Sequence, residues 1–250
     1  GKAIADALPA GGGVVLSDSA LQPKFVEDAP NALHPDFKFI PQGRQYGWTK
    51  HDYRDHDLRD DERDDDDWDD DRDDSQGRRY KVKLKEVDQY TGLLDLREGS
   101  STYGDPVKTA VWGYGSVGRK GPPVSWPGPT FEVKSTSAGG GKNTVVKWVN
   151  KLPNAHLLPV DERLHWCFSI HGIGSANGVD YRDFSIAENG VPAVPHLHGG
   201  NTDSQFDGNP EFFWTPKNGA GFRVRGPQWG NVPGGFTNKF VYNNDVTAGN

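Results

Sequence analysis

RRYKVKLKEVDQY, at residues 78–90, is the stretch that decides the fold. Tyr80, Val82 and Leu84 alternate with lysines, and side chains of a β-strand point alternately to opposite faces, so the pattern predicts a half-buried strand. The chain has 32 glycines and 18 prolines in 250 residues and no convincing helical periodicity. Short β-rich runs between turn residues predict an all-β, Greek-key sandwich or barrel. Five further strands are predicted at 108–115, 125–133, 143–153, 192–200 and 235–245.

The negative charge is concentrated in one segment. Residues 52–74, the acidic segment, contain 15 Asp and Glu against 4 Arg, whereas the whole chain has a net charge of -7. The remainder is therefore only weakly positive, which does not indicate nucleic-acid binding. Such charge density cannot bury apolar area, so we expect a solvated loop unless a bound cation or a covering partner orders it. Calcium is one candidate cation, although the spacing lacks the glycine and terminal Glu of an EF-hand loop.

The cysteine content and the hydropathy of the chain exclude some classes of protein. Cys167 is the only cysteine, which excludes an internal disulfide and a CxxC metal site. The chain contains no run of about 18 apolar residues, so no membrane span is expected. It begins at Gly1 and has no methionine, which is consistent with a processed mature chain.

A histidine pair is the clearest candidate for chemistry. VPHLHGG, at 194–200, places His196 and His198 two residues apart, and on a strand both rings would project from one face. Adjacent imidazoles favour the neutral form that binds transition metals, and Gly199 and Gly200 leave room for further ligands. The alternative is two partly exposed histidines with ordinary hydrogen bonds.

Several further motifs follow one another in a fixed order: WGYGSVGRKGPPVSWPGPTFEVK, NTVVKWVNKLP, LPVDERLHW and VPHLHGGNTDSQFDGNPEFFWT. Together they resemble the first cupredoxin domain of multicopper oxidases, and in particular the branch of spore-coat laccases, bilirubin oxidases and phenoxazinone synthases. LQPKFVEDAP, near the start, also resembles the N-terminal arm of that branch. The similarity extends over about 20–45 and 79–245. We therefore predict an extended arm at 1–45, an acidic low-complexity insertion at 46–78 and a partial cupredoxin domain at 79–250.

The resemblance implies roles for three residues. His196 would bind a type 2 copper, His198 would bind one copper of a type 3 pair, and Asp207 would assist proton delivery to oxygen. A carboxylate is a suitable proton relay, although an Asp before Gly208 is also an ordinary turn residue. His165, Cys167 and His171 lack the family's type 1 copper spacing, and Cys167 is predicted to be a small buried hydrophobic residue.

The resemblance implies the N-terminal subunit or a fragment of a laccase-like multicopper oxidase. Such an enzyme couples one-electron oxidation of a small reducing substrate, such as a phenol, a bilirubin-like molecule or a metal ion, to reduction of O2 to water. Two histidines cannot enclose three coppers, so a second polypeptide is expected to supply the remaining copper histidines, the type 1 copper and the strands that complete the domain at its C-terminal end. A secreted, periplasmic or cell-surface location is also expected.

Two other functions remain open. One is a non-catalytic copper- or cation-binding cupredoxin-like structural module. The other is an acidic coat or matrix protein that binds cations through the acidic segment.

Overall fold

The computed structural model describes residues 30–41, 78–118, 121–136, 141–161, 175–176, 179–180, 184–217 and 223–245. Within them the chain is mostly β, with one four-stranded mixed sheet and very little helix. All but the last residue of the insertion predicted at 46–78, and most of the arm predicted at 1–45, lie outside these ranges, so the domain division stays a prediction. The strands are β1 (Arg79–Leu94), β2 (Pro106–Ser116), β3 (Thr144–Lys151), β4 (Ser175–Ala176), β5 (Val179–Asp180) and β6 (Lys239–Tyr242).

The main sheet has the strand order β2-β1-β3-β6. β1 pairs with antiparallel β2 from Val82, opposite Ser116, to Leu94, opposite Pro106. On its other side β1 pairs in parallel with β3, and β3 pairs with antiparallel β6. These pairings confirm the strands predicted at 78–90, 108–115, 143–153 and 235–245.

One face of the sheet, the apolar face, carries the hydrophobic core. It is formed by the even-numbered residues of β1, β3 and β6, and Tyr80, Val82 and Phe240 on it are at most 1% exposed. Full burial of one such large apolar side chain contributes about 1.5–3 kcal/mol, so this face is a main source of stability. The chain after residue 200 supplies much of the layer that covers the core: Phe206, Phe212, Trp214 and Trp229.

The strand predicted at 125–133 is wrong. Only two isolated bridges form there, one from Ser125 to β2 and one from Thr130 to Lys38. Pro127 and Pro129 have no backbone N–H, so the segment cannot continue a hydrogen-bonded ladder.

The strand predicted at 192–200 is also wrong. Ala193 forms a single bridge with Trp214, and the rest of the stretch is irregular. Pro192 and Pro195 interrupt the row of donors for the same reason, because proline is excluded from the interior of a ladder.

The turn that joins β1 to β2, the hairpin turn (residues 95–105), is built around one buried carboxylate. Asp95 is 4% exposed and accepts hydrogen bonds from Nε and Nη2 of Arg97, at 2.7 and 2.6 Å. The backbone N–H of Arg97 and the hydroxyls of Ser100 and Thr102 also donate, at 3.1, 2.7 and 2.6 Å. The Arg97 guanidinium, followed by the two hydroxyls, holds the pKa of Asp95 well below its usual range.

Helix occupies only short pieces of the described ranges. α1 (Ile186–Asn189) is one turn, and 3-10 turns lie at Pro35–Phe37, Ser204–Phe206, Pro210–Phe212 and Pro227–Asn231. In the part of the chain that the structure describes, no helix has the length and apolar character needed to cross a bilayer. The mixed sheet is consistent with a cupredoxin-like domain, and the complete Greek-key sandwich stays a prediction.

Candidate functional site

The two histidines of VPHLHGG lie side by side on an exposed turn, at the start of what we call the histidine loop (residues 196–208). The ring centroids of His196 and His198 are 4.9 Å apart and the ring planes are inclined by 67°. The chain turns at His198 and Gly199, and Gly199 adopts a φ of 71°, a left-handed conformation that glycine tolerates without strain. A turn, and not the predicted strand, therefore brings the rings together.

One ring nitrogen of His196 is engaged by the far end of the loop. Nδ1 lies 2.7 Å from the backbone carbonyl oxygen of Asp207 and 3.2 Å from its Oδ1. Because a carbonyl oxygen can only accept, Nδ1 carries the hydrogen, and the neutral ring keeps a lone pair on Nε2. Metal-binding histidines characteristically donate their other ring N–H in this way, which fixes the tautomer and the ring orientation.

Gly208 permits this close approach. Its φ is 79°, and a Cβ at this position would lie 2.7 Å from the Cβ of His196. Real Cβ atoms do not approach so closely, so a larger residue would displace the ring from the Asp207 carbonyl. Asp207 therefore does occupy a turn before a glycine, and it contacts His196 from that turn.

The carboxylate of Asp207 is partly exposed and has one hydroxyl donor. Its side chain is 46% exposed, and Oγ1 of Thr202 donates to its Oδ1 at 3.0 Å. The 3-10 turn Ser204–Phe206 brings Thr202 and Asp207 together, and the buried ring of Phe206 packs 4.8 Å from that of Phe240. The sequence analysis missed Thr202, because a five-residue separation becomes a contact only through this turn.

Two amide side chains tie the histidine loop to the end of the sheet. Nδ2 of Asn201 donates to Oδ2 of Asp245 at 2.7 Å, and Nδ2 of Asn243 donates to the carbonyl oxygen of Asn201 at 3.2 Å. Asn243 directly follows β6, and Asp245 lies three residues after its end. The loop is thus attached to the rigid sheet near its start, which suits a site whose side chains must keep a fixed geometry.

Tyr242 is a further residue near the loop that the sequence analysis missed. It is 6% exposed, and its hydroxyl accepts a hydrogen bond from Nε1 of Trp148 at 3.0 Å. Burial raises the pKa of Tyr242 well above its usual range, and the negative charge of Asp207 adds a smaller contribution in the same direction. The alternation of β6 could predict that Tyr242 faces the core, but not that it lies near Asp207.

The described residues provide only part of a metal site. Within the ranges that the structure covers, no three or more His, Cys, Asp or Glu residues form a group that could hold a metal ion. Imidazole is nevertheless a suitable ligand for copper, zinc, iron and nickel. His196 and His198 offer two imidazoles to such an ion, and its other ligands would have to come from outside the described ranges.

The other histidines have local structural roles or lie outside those ranges. Nδ1 of His34 accepts a hydrogen bond from the backbone N–H of Asp36, which caps a 3-10 turn. The ring of His156 packs edge-on against Trp112, with centroids 4.6 Å apart. His51 and His56 lie outside the described ranges, as do the three residues compared above with a type 1 copper site: His165, Cys167 and His171.

Known proteins match this chain over about half of its length. It is 36% identical over 107 residues to a laccase of Bacillus subtilis (strain 168) and 34% identical over 131 residues to multicopper oxidase LPR1 of Arabidopsis thaliana. It is also 34% identical over 126 residues to a laccase of Haloferax volcanii. These stretches are 43%, 52% and 50% of this chain, respectively. No protein-family model matches the chain.

The matched stretches span only 15%, 18% and 17% of these relatives' own lengths. Laccases and a plant multicopper oxidase match at similar identity. The predicted branch, that of the spore-coat laccases, bilirubin oxidases and phenoxazinone synthases, therefore stays a prediction.

Proposed function

We propose that this chain, which belongs to the multicopper oxidase and laccase family over the stretch it shares with those relatives, contributes His196 and His198 to a copper centre that reduces O2 to water. The observation that carries the proposal is the ring pair itself, with Nδ1 of His196 held by the carbonyl of Asp207. That contact leaves Nε2 free of the ring hydrogen. In the family's terms, His196 would serve a type 2 copper and His198 one copper of a type 3 pair.

Copper, when bound, would supply the one-electron steps from which a four-electron reduction of O2 is assembled. The chain's own residues would bind the metal and manage protons. The Asp207 carboxylate is partly exposed and adjoins a proposed ligand, so its Oδ atoms can take up a proton and release it toward the reacting oxygen. Thr202, through its hydrogen bond to Oδ1, keeps that carboxylate in place.

The rest of the enzyme lies beyond these residues. Two imidazoles cannot surround three coppers, so the remaining ligands and the type 1 copper would come from a second polypeptide or from further residues of a longer protein. The electrons would come from a small reducing substrate, such as a phenol, a bilirubin-like molecule or a metal ion. A secreted or periplasmic location is part of the same proposal and is supported by the resemblance alone.

Native mass spectrometry of the protein as isolated would test the proposal, because one spectrum reports chain composition and copper count. We expect the wild type, in complex with any copper-bearing partner, to retain copper that the double variant His196→Ala/His198→Ala loses. His34→Asn is the matched control, because asparagine can still cap the 3-10 turn. Equal copper in wild type and double variant, or none in either, would contradict the proposal.

Oxygen uptake with a phenolic reductant would then separate the oxidase from the alternative. Copper that depends on both histidines, without any O2 consumption by the complete assembly, would indicate a non-catalytic copper-binding module.

A further inference from the structure

Three side chains that can be oxidised lie in contact on the apolar face of the main sheet. Nε1 of Trp148 donates a hydrogen bond to the hydroxyl of Tyr242 at 3.0 Å, and the ring centroid of Trp148 lies 5.6 Å from that of Tyr114. Cysteine and methionine are readily oxidised side chains, but the chain has one cysteine and no methionine. The loss of single electrons therefore falls mainly to tyrosines and tryptophans. We call Tyr114, Trp148 and Tyr242 the aromatic row.

One end of the aromatic row reaches solvent. Tyr114 lies on β2 opposite Leu84 and is 38% exposed, whereas Trp148 and Tyr242 are buried. A tyrosine that loses an electron becomes strongly acidic and must also lose its phenol proton. Water at the surface can accept that proton from Tyr114, so this end of the row can hold a neutral radical.

The other end of the row lies by the histidine loop. Phe240, on the same face as Tyr242, packs 4.8 Å from Phe206 of the loop. The negative charge of Asp207, the next residue, contributes to the raised pKa of Tyr242. Oδ1 of Asp207 is in turn 3.2 Å from Nδ1 of His196. The row therefore connects the surface at Tyr114 with the surroundings of the candidate copper ligands.

Two other buried tryptophans do not form a comparable row. Within the part of the chain that the structure describes, the ring of Trp214 packs against those of Phe236 and Phe240. The ring of Trp229 packs against those of Phe212 and Phe236. Phenylalanine is much harder to oxidise than tyrosine or tryptophan, so an electron crosses the aromatic row more easily than these contacts.

We propose that the aromatic row carries electrons from the surface to the histidine loop when O2 reduction lacks a reducing substrate, and so protects His196 and His198 from oxidation. The inference rests on the proposed function for its oxidant, a partly reduced form of O2. Trp148 gives one electron to that oxidant through its hydrogen bond with Tyr242 and keeps its own proton. Tyr114 then returns one electron to Trp148, releases its phenol proton to water and becomes a neutral radical. A small donor at the surface, such as a phenol, restores Tyr114 by transferring one hydrogen atom.

A photo-oxidant attached to the histidine loop tests the row without copper. Asp203→Cys, on a Cys167→Ser background, provides a single thiol on the loop for a ruthenium polypyridyl label. A light flash in the presence of a soluble electron acceptor produces the oxidised label, which takes one electron from the chain. Time-resolved absorption and electron paramagnetic resonance then follow the tyrosyl radical. We expect the radical on Tyr114, and Tyr114→Phe should remove its signal.

Matched variants show whether the electron passes through the row. Trp148→Phe should slow formation of the Tyr114 radical at least several-fold. Trp229→Phe, the same substitution at a buried tryptophan outside the row, should leave the rate unchanged, and circular dichroism should show that both variants are folded. A radical that forms equally fast in Trp148→Phe, or that resides mainly on the exposed Tyr90 or Tyr103, would overturn the proposal.

The copper-loaded assembly tests the protective role. In O2 without a reducing substrate, peptide mass spectrometry should find His196 and His198 oxidised several-fold faster in Tyr114→Phe than in the wild type. Tyr90→Phe, at an exposed tyrosine outside the row, should match the wild type. Equal oxidation in all three proteins would overturn the protective role. An assembly without copper would contradict the proposed function, and the flash experiment would still decide whether the row carries electrons.

Discussion

Two aspartates organise two turns of this molecule in opposite ways. Asp95, in the hairpin turn, is 4% exposed and receives five hydrogen bonds, two of them from a guanidinium. Asp207, in the histidine loop, has a side chain that is 46% exposed, with one hydroxyl donor and the His196 ring beside it. The Asp95 carboxylate is surrounded by hydrogen-bond donors, whereas the Asp207 carboxylate can accept further hydrogen bonds.

The difference separates a structural carboxylate from one that can do chemistry. A carboxylate surrounded by donors is locked in its charged form and cannot pass a proton on. A partly solvated carboxylate beside a metal-ligand candidate can exchange protons with water and with a bound reactant. We therefore expect changes in the histidine loop to affect copper and oxygen chemistry, and changes in the hairpin turn to affect stability alone.

The largest effect is expected for His196→Ala. The variant should lose copper, and the O2 reduction rate of the complete assembly should fall by more than about 100-fold, since even outer-shell partners of metal sites are worth about 10- to 100-fold. Copper analysis and oxygen uptake provide the measurements. If the variant kept both copper and activity, the histidine loop would be no more functional than the hairpin turn.

Asp207→Asn should leave copper in place and slow O2 reduction by about 10²- to 10⁴-fold, the usual contribution of a positioned acid or base. The asparagine keeps the backbone carbonyl that holds His196 but cannot take up and release a proton in the same way. Oxygen uptake measured beside copper content tests this. Asp203→Asn, an exposed acid of the same loop, is the control and should behave as the wild type. Equal slowing in both variants would refute a relay at Asp207.

Thr202→Val should lower the O2 reduction rate by about 2- to 10-fold, the equivalent of one ordinary hydrogen bond. Copper content should not change, because the Thr202 hydroxyl is hydrogen-bonded to Asp207 and not to the proposed ligand His196. Thr202→Ser restores the hydroxyl and should restore the rate. A serine variant as slow as the valine variant would show that packing of the methyl group, and not the bond to Asp207, is responsible.

Asp95→Asn should have no effect on copper or on O2 reduction. It should lower Tm by something on the order of 5 °C at neutral pH, because the carboxylate's bonds to Arg97 and the two hydroxyls are weakened. Thermal unfolding followed by circular dichroism measures this shift. Loss of copper from Asp95→Asn would break the distinction between the two turns.

Wild type and Asp95→Asn can also be compared at different pH values, because the change expected in their Tm difference has a definite sign. The folded-state pKa of Asp95 lies below the ordinary value of about 3.9, so its contribution to stability is complete above that pH. As the pH falls below about 4, the unfolded state takes up the proton first and the contribution is lost. The Tm difference between wild type and Asp95→Asn should therefore shrink in acid. A difference that grew in acid would contradict the assignment.

Strands with a strong local alternation of apolar and polar residues could be predicted from the sequence. Which of their residues are buried could be predicted only in part. β1 forms where the alternation of Tyr80, Val82 and Leu84 predicts it, because a two-residue period is a local property. β3 also forms where predicted, but residues 144–150 are all buried, because both faces of this central strand are covered. Whether a second face is covered depends on distant residues, which local alternation does not report.

The sequence could predict which two histidines form the candidate site, but not how the chain arranges their rings. His196 and His198 are adjacent as expected, although a turn and not a strand joins them. The stretches 125–133 and 192–200 resemble strands in composition. They do not form strands, because their prolines lack the backbone N–H groups that a hydrogen-bonded ladder needs. Thr202 reaches Asp207 through a 3-10 turn, and the position of β6 brings Tyr242 near enough to be affected by the charge of Asp207. Neither relation is visible in residue spacing.

The contact between the Nδ1 of His196 and residue 207 has a consequence for protein engineering. The ring is oriented by the main chain of residue 207, whereas the proton relay would be its side chain. A library that randomises position 207 can therefore explore different acidities and polarities while every member inherits the same imidazole orientation. Gly208 must stay constant in such a library, because its missing Cβ is what lets the main chain reach the ring.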